Sequence, residues 1–277
     1  MRLGIFAKTF PGDTPEGVMA AAAAAGYDGV QYNMACSGLE PMPDDLPPAV
    51  AQAVSEASRR TGQQVFALSG TYNMAHPDLM YRQRGVRRFR LLAQSCAMMG
   101  VDLVTLCTGT RDPDDQWRHH PDNQSEEAWR DMCRSFEALI AIAEECRIRL
   151  GVEPELANVV NSARAARRLI SEMASDRITI VLDPANLFEV ATAEVRRDLI
   201  SGAVDLLGDH LAMTHAKDRL PDGDFATAGQ GVIDFGHYFR KLAQAGFAGP
   251  VVTHGLSSTE AAGVSTFLRR CIAEARS

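Results

Sequence analysis

Residues 178–217 read ITIVLDPANLFEVATAEVRRDLISGAVDLLGDHLAMTHAK. Two short apolar runs, Ile178–Asp183 and Leu211–Lys217, flank a stretch over Ala193–Leu207 with helical character. Neither run alternates with period two, as expected of parallel strands buried on both faces. A strand, a crossover helix and a second parallel strand make a right-handed βαβ unit.

The same unit recurs on both sides. Strands are predicted at Leu3–Lys8, Gly29–Met34, Gln64–Ser69, Asp102–Thr108, Leu150–Glu153 and Pro250–His254. Helices are predicted at Pro15–Ala25, Pro48–Thr61, Tyr81–Met99, Ser125–Arg147, Ser162–Ala174 and Phe235–Ala245, with a last one over Ser258–Ala273. Thr14 before Pro15 suits an N-cap, and Ser257 with Glu260 has capping-box spacing. Gly26, Gly62, Gly100 and Gly246 follow helix ends, where a left-handed residue closes the last turn. Eight such repeats close naturally into a single (β/α)8 TIM barrel. The rival doubly wound sheet wants a glycine-rich phosphate loop after its first strand, and Lys8-Thr9-Phe10-Pro11-Gly12 is not one. No linker or change of composition divides the chain, so one domain over 1–277 is expected.

The 277 residues are 46% hydrophobic and 23% charged, which argues against disorder or a fibre. With 28 Lys+Arg against 35 Asp+Glu, net charge −7, no basic excess exists to hold nucleic acid. The six cysteines include no CxxC pair, so neither a disulfide framework nor a zinc finger is expected. MRLGIFAKTF offers no signal-peptide core, and no apolar run approaches a membrane span. A complete cytoplasmic chain acting on a small substrate is the expectation.

In such barrels function gathers at the C-terminal ends of the strands. Four of these ends supply Glu153, Asp183, His215 and His254. Two carboxylates and two imidazoles on one rim predict a divalent-metal site, its mixed O and N donors suiting Mn²⁺, Zn²⁺, Co²⁺ or Fe²⁺.

The segments SGTYNMAHPD (69–78), GVEPE (151–155), VLDPANL (181–187), HAKD (215–218) and GQGVIDF (229–235) resemble the xylose-isomerase-like barrels, the sugar phosphate isomerase/epimerase group. The resemblance spans essentially the whole chain. It implies one divalent ion held by Glu153, Asp183, His215 and a fourth ligand. The family usually carries Glu at that fourth place, where this chain has His254. It also implies isomerisation or epimerisation of a small carbohydrate by proton abstraction next to a carbonyl. Glu153 would be the base, and His254 either the fourth ligand or the partner acid. Asn186 stands where epimerases of the group often have His, and can still bond a sugar hydroxyl. The endonucleases of the superfamily need further histidines, and Leu106-Cys107-Thr108-Gly109 supplies none.

His76, Lys217 and Arg219 are further candidates for substrate contact, with Lys8 behind them. Glu155 and Asp218 read more readily as solvent-facing or turn-capping groups. Arg111–Asn123, with Trp117, His119 and His120, could form a lid or meet a second subunit, leaving a homo-oligomer open. Gly229-Gln230-Gly231 and the Gly255–Thr259 helix start are candidate phosphate sites, though Glu260 would repel an anion. An unphosphorylated sugar or polyol is favoured. The rivals are a lyase on the same site, a polyol dehydratase or keto-glycoside-cleaving enzyme, and a sugar-binding barrel that has lost its metal.

Overall fold

In the computed structural model, which describes residues 1–275, the eight expected strands close into one parallel barrel. They are β1 (Arg2–Phe6), β2 (Gly29–Tyr32), β3 (Gln64–Ser69), β4 (Leu103–Cys107), β5 (Arg149–Glu153), β6 (Ile178–Leu182), β7 (Leu211–Ala216) and, after a short hairpin, β10 (Pro250–Thr253). Neighbours around the wall follow chain order, and β10 pairs with β1 to close it. Eight helices cover the outside: α1 (Pro15–Ala24), α2 (Pro48–Thr61), α3 (Leu79–Met99), α4 (Glu126–Cys146), α5 (Ala163–Met173), α6 (Ala193–Leu207), α7 (Phe235–Gln244) and α8 (Ala261–Glu274).

Each helix turns an apolar stripe to the wall. On α4 the buried residues include Trp129, Met132, Phe136, Leu139 and Ala143, the three-and-four spacing of one helical face. The lower half of the barrel interior is a separate dry plug of Phe66, Leu103, Val181, Met213 and Val252. Gly29 makes room for it. A Cβ there would stand 2.4 Å from the Gln64 carbonyl oxygen and 2.7 Å from the Phe66 ring. With the lower interior filled by side chains, polar groups collect at the upper, C-terminal mouth.

Several local expectations shift. Lys8 lies in a one-turn 3-10 helix (Ala7–Thr9) beyond β1. Thr14 sits at the N-cap position of α1, but its side chain makes no cap bond. Ser257 and Glu260 do bond each other, Glu260 Oε2 accepting from the Ser257 amide at 2.9 Å, yet α8 begins only at Ala261. A two-stranded hairpin, β8 (Asp218–Arg219) with β9 (Phe225–Ala226), was not foreseen. Its strands have two residues each, too short to show a period. Among the described residues no helix is long and apolar enough to cross a membrane.

Candidate metal centre

Glu153 is the last residue of β5, and His215 lies one residue from the end of β7. Asp183 and His254 directly follow β6 and β10. These four strands are consecutive in the wall. Asp183 Oδ1 caps the turn Pro184–Asn186 by accepting from the Ala185 amide at 2.9 Å, which leaves Oδ2 for the interior. One ligand atom from each of the four residues lies within 4.8 Å of the other three.

Three of the six separations match those of donors around one ion. Glu153 Oε1 stands 3.1 Å from His215 Nδ1, and Asp183 Oδ2 stands 3.1 Å from His254 Nε2 and 3.9 Å from His215 Nδ1. Donors ~2.1 Å from a common ion stand about 3–4 Å apart. The tautomers agree. Gln31 Nε2 donates to Thr105 Oγ1 at 3.1 Å, so its Oε1 accepts from His215 Nε2–H at 2.9 Å. Nδ1 of the neutral ring is then a lone pair aimed at carboxylate oxygens, an arrangement that wants a cation between them. Glu, Asp, His and His can thus hold one metal ion.

The electrostatics follow from crowding in a buried place. Burial, the largest influence, disfavours the charged His215 imidazole, but the charge and hydrogen bond of Glu153 together with the charge of Asp183 raise its pKa on balance. For His254, burial first and then repulsion from His215 whenever that ring is protonated hold it below its ordinary value. Burial would raise the Asp183 carboxyl, yet the His254 contact and His215 bring it below the usual range.

Around this centre opens a cavity of about 490 Å³. Its wall carries Gln31, Asn33, Ser69, Thr71 and Thr105, with Gln116, Trp117 and Phe225 also lining it. Asn186 is buried there and donates from Nδ2 to Glu153 Oε1 at 3.0 Å, while its own Oδ1 has no partner among the described residues. Cys107 Sγ lies 3.8 Å from Glu153 Oε2, and burial, then the Glu153 charge, push its thiol well above the ordinary value. Glu155 does not simply face solvent. It lines the cavity, its carboxyl pushed up to about 7 by burial and by Glu153.

Two of the sequence candidates lie elsewhere. Both ring nitrogens of His76 are taken, Nδ1 by the Asp78 amide and Nε2 by the Pro113 carbonyl, and the ring stacks on Tyr81 at 4.0 Å. It joins two loops and does not line the cavity. Arg219 donates from Nε to the Ala185 carbonyl at 2.5 Å and from Nη1 to the Gly223 carbonyl. It braces the hairpin and the turn after β6 from behind, because its loop folds back across them.

The Arg111–Asn123 segment is pegged at its ends. Arg111 pairs with Asp131 at 2.8 Å, and Asn123 Oδ1 accepts from the Arg111 amide and the Thr110 hydroxyl. Trp117 hangs at the cavity mouth, whereas His120 caps the turn Pro121–Gln124 and His119 does not line the cavity. Three of the expected phosphate amides are occupied as well. Those of Gly229 and Gly231 both donate to Asp218 Oδ2, and that of Ser257 donates to Glu260. Gln31, Asn33, Thr105, Cys107, Glu155 and Phe225 are among the cavity residues that sequence reasoning missed or set aside. Only Glu155, beside Glu153 in a strand-end motif, carried a local signal.

A family model described as xylose isomerase-like TIM barrel matches residues 19–269. No curated protein sequence matches the chain. Among solved structures, the apo form of 3-keto-D-glucoside 4-epimerase from E. coli superposes with TM-score 0.79 at 18% identity, covering 98% of this chain and 100% of that one. D-psicose 3-epimerase with D-tagatose, from Clostridium cellulolyticum H10, gives 0.77 at 17% identity over 98% and 99%. D-allulose 3-epimerase from Methylomonas sp. gives 0.77 at 16% identity over 98% of each chain. At these identities the likeness is one of fold.

Proposed function

The chain belongs to the xylose isomerase-like TIM barrel family, and on that premise we propose that it is a divalent-metal-dependent isomerase or epimerase of a small keto-sugar or polyol. The observation that carries this reading is the meeting of four metal-ligating groups from consecutive strands, three of which, Glu153, His215 and His254, line the cavity. The sugar epimerases named among the structural neighbours support it.

Glu153, Asp183, His215 and His254 would hold one Mn²⁺, Zn²⁺, Co²⁺ or Fe²⁺ ion. When bound, such an ion polarises a carbonyl oxygen and acidifies the adjoining C–H. The remaining roles belong to side chains. Glu153 is the base: its Oε1 accepts the Asn186 amide, and Oε2, met by the weak Cys107 thiol donor at 3.8 Å, is the atom placed to take the carbon-bound proton. Asn186 fixes the rotation of that carboxylate, and its unpartnered Oδ1 is free to accept from a sugar hydroxyl. Ser69, Thr71 and Asn33 offer further hydroxyl partners, while Trp117 and Phe225 shield the mouth from water. His254 serves as the fourth ligand, a role its place against Asp183 and His215 favours over that of proton donor.

Elemental analysis of the purified, untagged protein, prepared without chelator, tests the premise. Near one equivalent of transition metal per chain is expected, and Glu153→Gln should abolish turnover on keto-sugars with the circular dichroism unchanged. A protein that neither carries nor takes up metal would end this reading.

A further inference from the structure

The chain has only three lysines, Lys8, Lys217 and Lys241, among its 28 basic residues, the rest being arginine. Two of the three line the candidate cavity, and no arginine among the described residues does. Lys241 is used on the surface, paired with Asp205 at 2.8 Å. Lys8 and Lys217 make no ion pair and no hydrogen bond among the described residues.

They stand on one side of the mouth. Lys8 follows β1 and Lys217 follows β7, and these strands flank β10, the strand of His254. The stem of Lys217 leans over Gly255, just past β10, where an added Cβ would meet its Cε, Cγ and Cδ at 3.5–3.7 Å. Its ammonium rests on the face of Phe225, 3.0 Å from the ring centre, an attraction that leaves its N–H donors without an anionic acceptor.

Charge balance gives the pair a meaning. A divalent ion would cancel the charges of Glu153 and Asp183, and His254 brings none where the related barrels usually have a glutamate. Even with Glu155 fully ionised, the two ammonium groups leave the loaded cavity net positive. A neutral ketose gives such a site nothing to neutralise, while an anionic one does. Of the backbone amides that could cradle a phosphate, those of Gly229 and Gly231 already donate to Asp218 and that of Ser257 to Glu260. A carboxylate needs no amide cradle.

We propose that the substrate is a sugar acid, a keto-sugar whose carboxylate is held by Lys8 and Lys217 beside the metal centre. This rests on the isomerase or epimerase reading above.

The test is binding to the Mn²⁺-loaded full chain, read as quenching of Trp117, with D-fructose, D-fructuronate and D-fructose 6-phosphate as probes that share a ketose and differ in the terminal group. D-Fructuronate should bind at least tenfold more tightly than D-fructose, and the advantage should shrink between 0.05 and 0.5 M salt. Lys8→Met and Lys217→Met should each cut it at least threefold, while Lys217→Arg should retain most of it. Equal or tighter binding of D-fructose overturns the proposal, as does an advantage that survives in the double Lys→Met variant. Tightest binding of D-fructose 6-phosphate overturns it in favour of a phosphate ester. Metal content is measured on the same samples. A chain that carries its ion yet prefers D-fructose fails this proposal alone, and a chain that takes up no ion fails the reading beneath it.

Discussion

His215 is held from both sides of the barrel. Its Nδ1 faces the carboxylates of β5 and β6, and its Nε2 meets Gln31 of β2, which is braced in turn by Thr105 of β4. An outer partner of this kind fixes the tautomer and rotation of a metal-ligating ring, and its loss typically lowers affinity 10–100-fold. Gln31→Leu should therefore weaken Mn²⁺ or Zn²⁺ binding by about one to two orders of magnitude, measured by titration calorimetry, with the fold intact. Unchanged affinity would remove Gln31 from the site. The four ligand candidates were legible because each is a polar residue at the end of an apolar run. Gln31 was not, because its role depends on a residue 184 positions away across the barrel.

Among elements, the segment between β7 and α7 depends on Asp218. Its carboxylate is fully buried and accepts from the amides of Arg219, Gly229, Gly231 and Ile233. Asp218→Ala would strand several buried donors at about 1–3 kcal/mol each. A net loss of about 3 kcal/mol or more should appear as a lower urea midpoint, and an unchanged midpoint would refute the role. The same rim is tied by Glu260, which accepts from Ser257, Thr227 and Gln230. Those bonds, Ser257 foremost, lower its pKa from 4.5 to about 2. A depressed carboxylate stabilises the folded state above its unfolded pKa and loses that contribution as pH falls through the folded value. Between pH 4.5 and 2 the wild type should lose more stability than Glu260→Gln, in urea titrations at each pH. Parallel loss in both would discount the tie. GQG read as a phosphate loop from composition, but its two glycine amides donate to Asp218 and the Gln230 amide to the Thr227 carbonyl.

At the scale of the molecule, closure rests on how the lower interior is filled. Gly29 opens β2 where the Gln64 carbonyl and the Phe66 ring approach. Gly29→Ala should cost about 1–3 kcal/mol as overpacking, seen in equilibrium unfolding. Trimming Phe66 to Leu should not restore it, since the 2.4 Å contact is with backbone. Full rescue by that second change would show that the ring alone sets the limit. The apolar lower half keeps polar groups to the mouth, where the cavity lies with its two lysines that have no ion-pair partner among the described residues.

The sequence by itself determined the eight strand–helix repeats, hence the barrel, and the strand-end residues that form the ligand cluster. Both are local: apolar runs, caps and the polar residue ending each run are written within a few positions of one another. Only the tertiary structure decided which loop residues reach the cavity. His76 and Arg219 turn away because carbonyls of neighbouring loops take their donors, while Cys107 and Gln31 turn inward from walls whose strand ends look unremarkable. Those outcomes depend on hydrogen-bond partners brought together by closure of the barrel, and no window of sequence contains both members of such a pair.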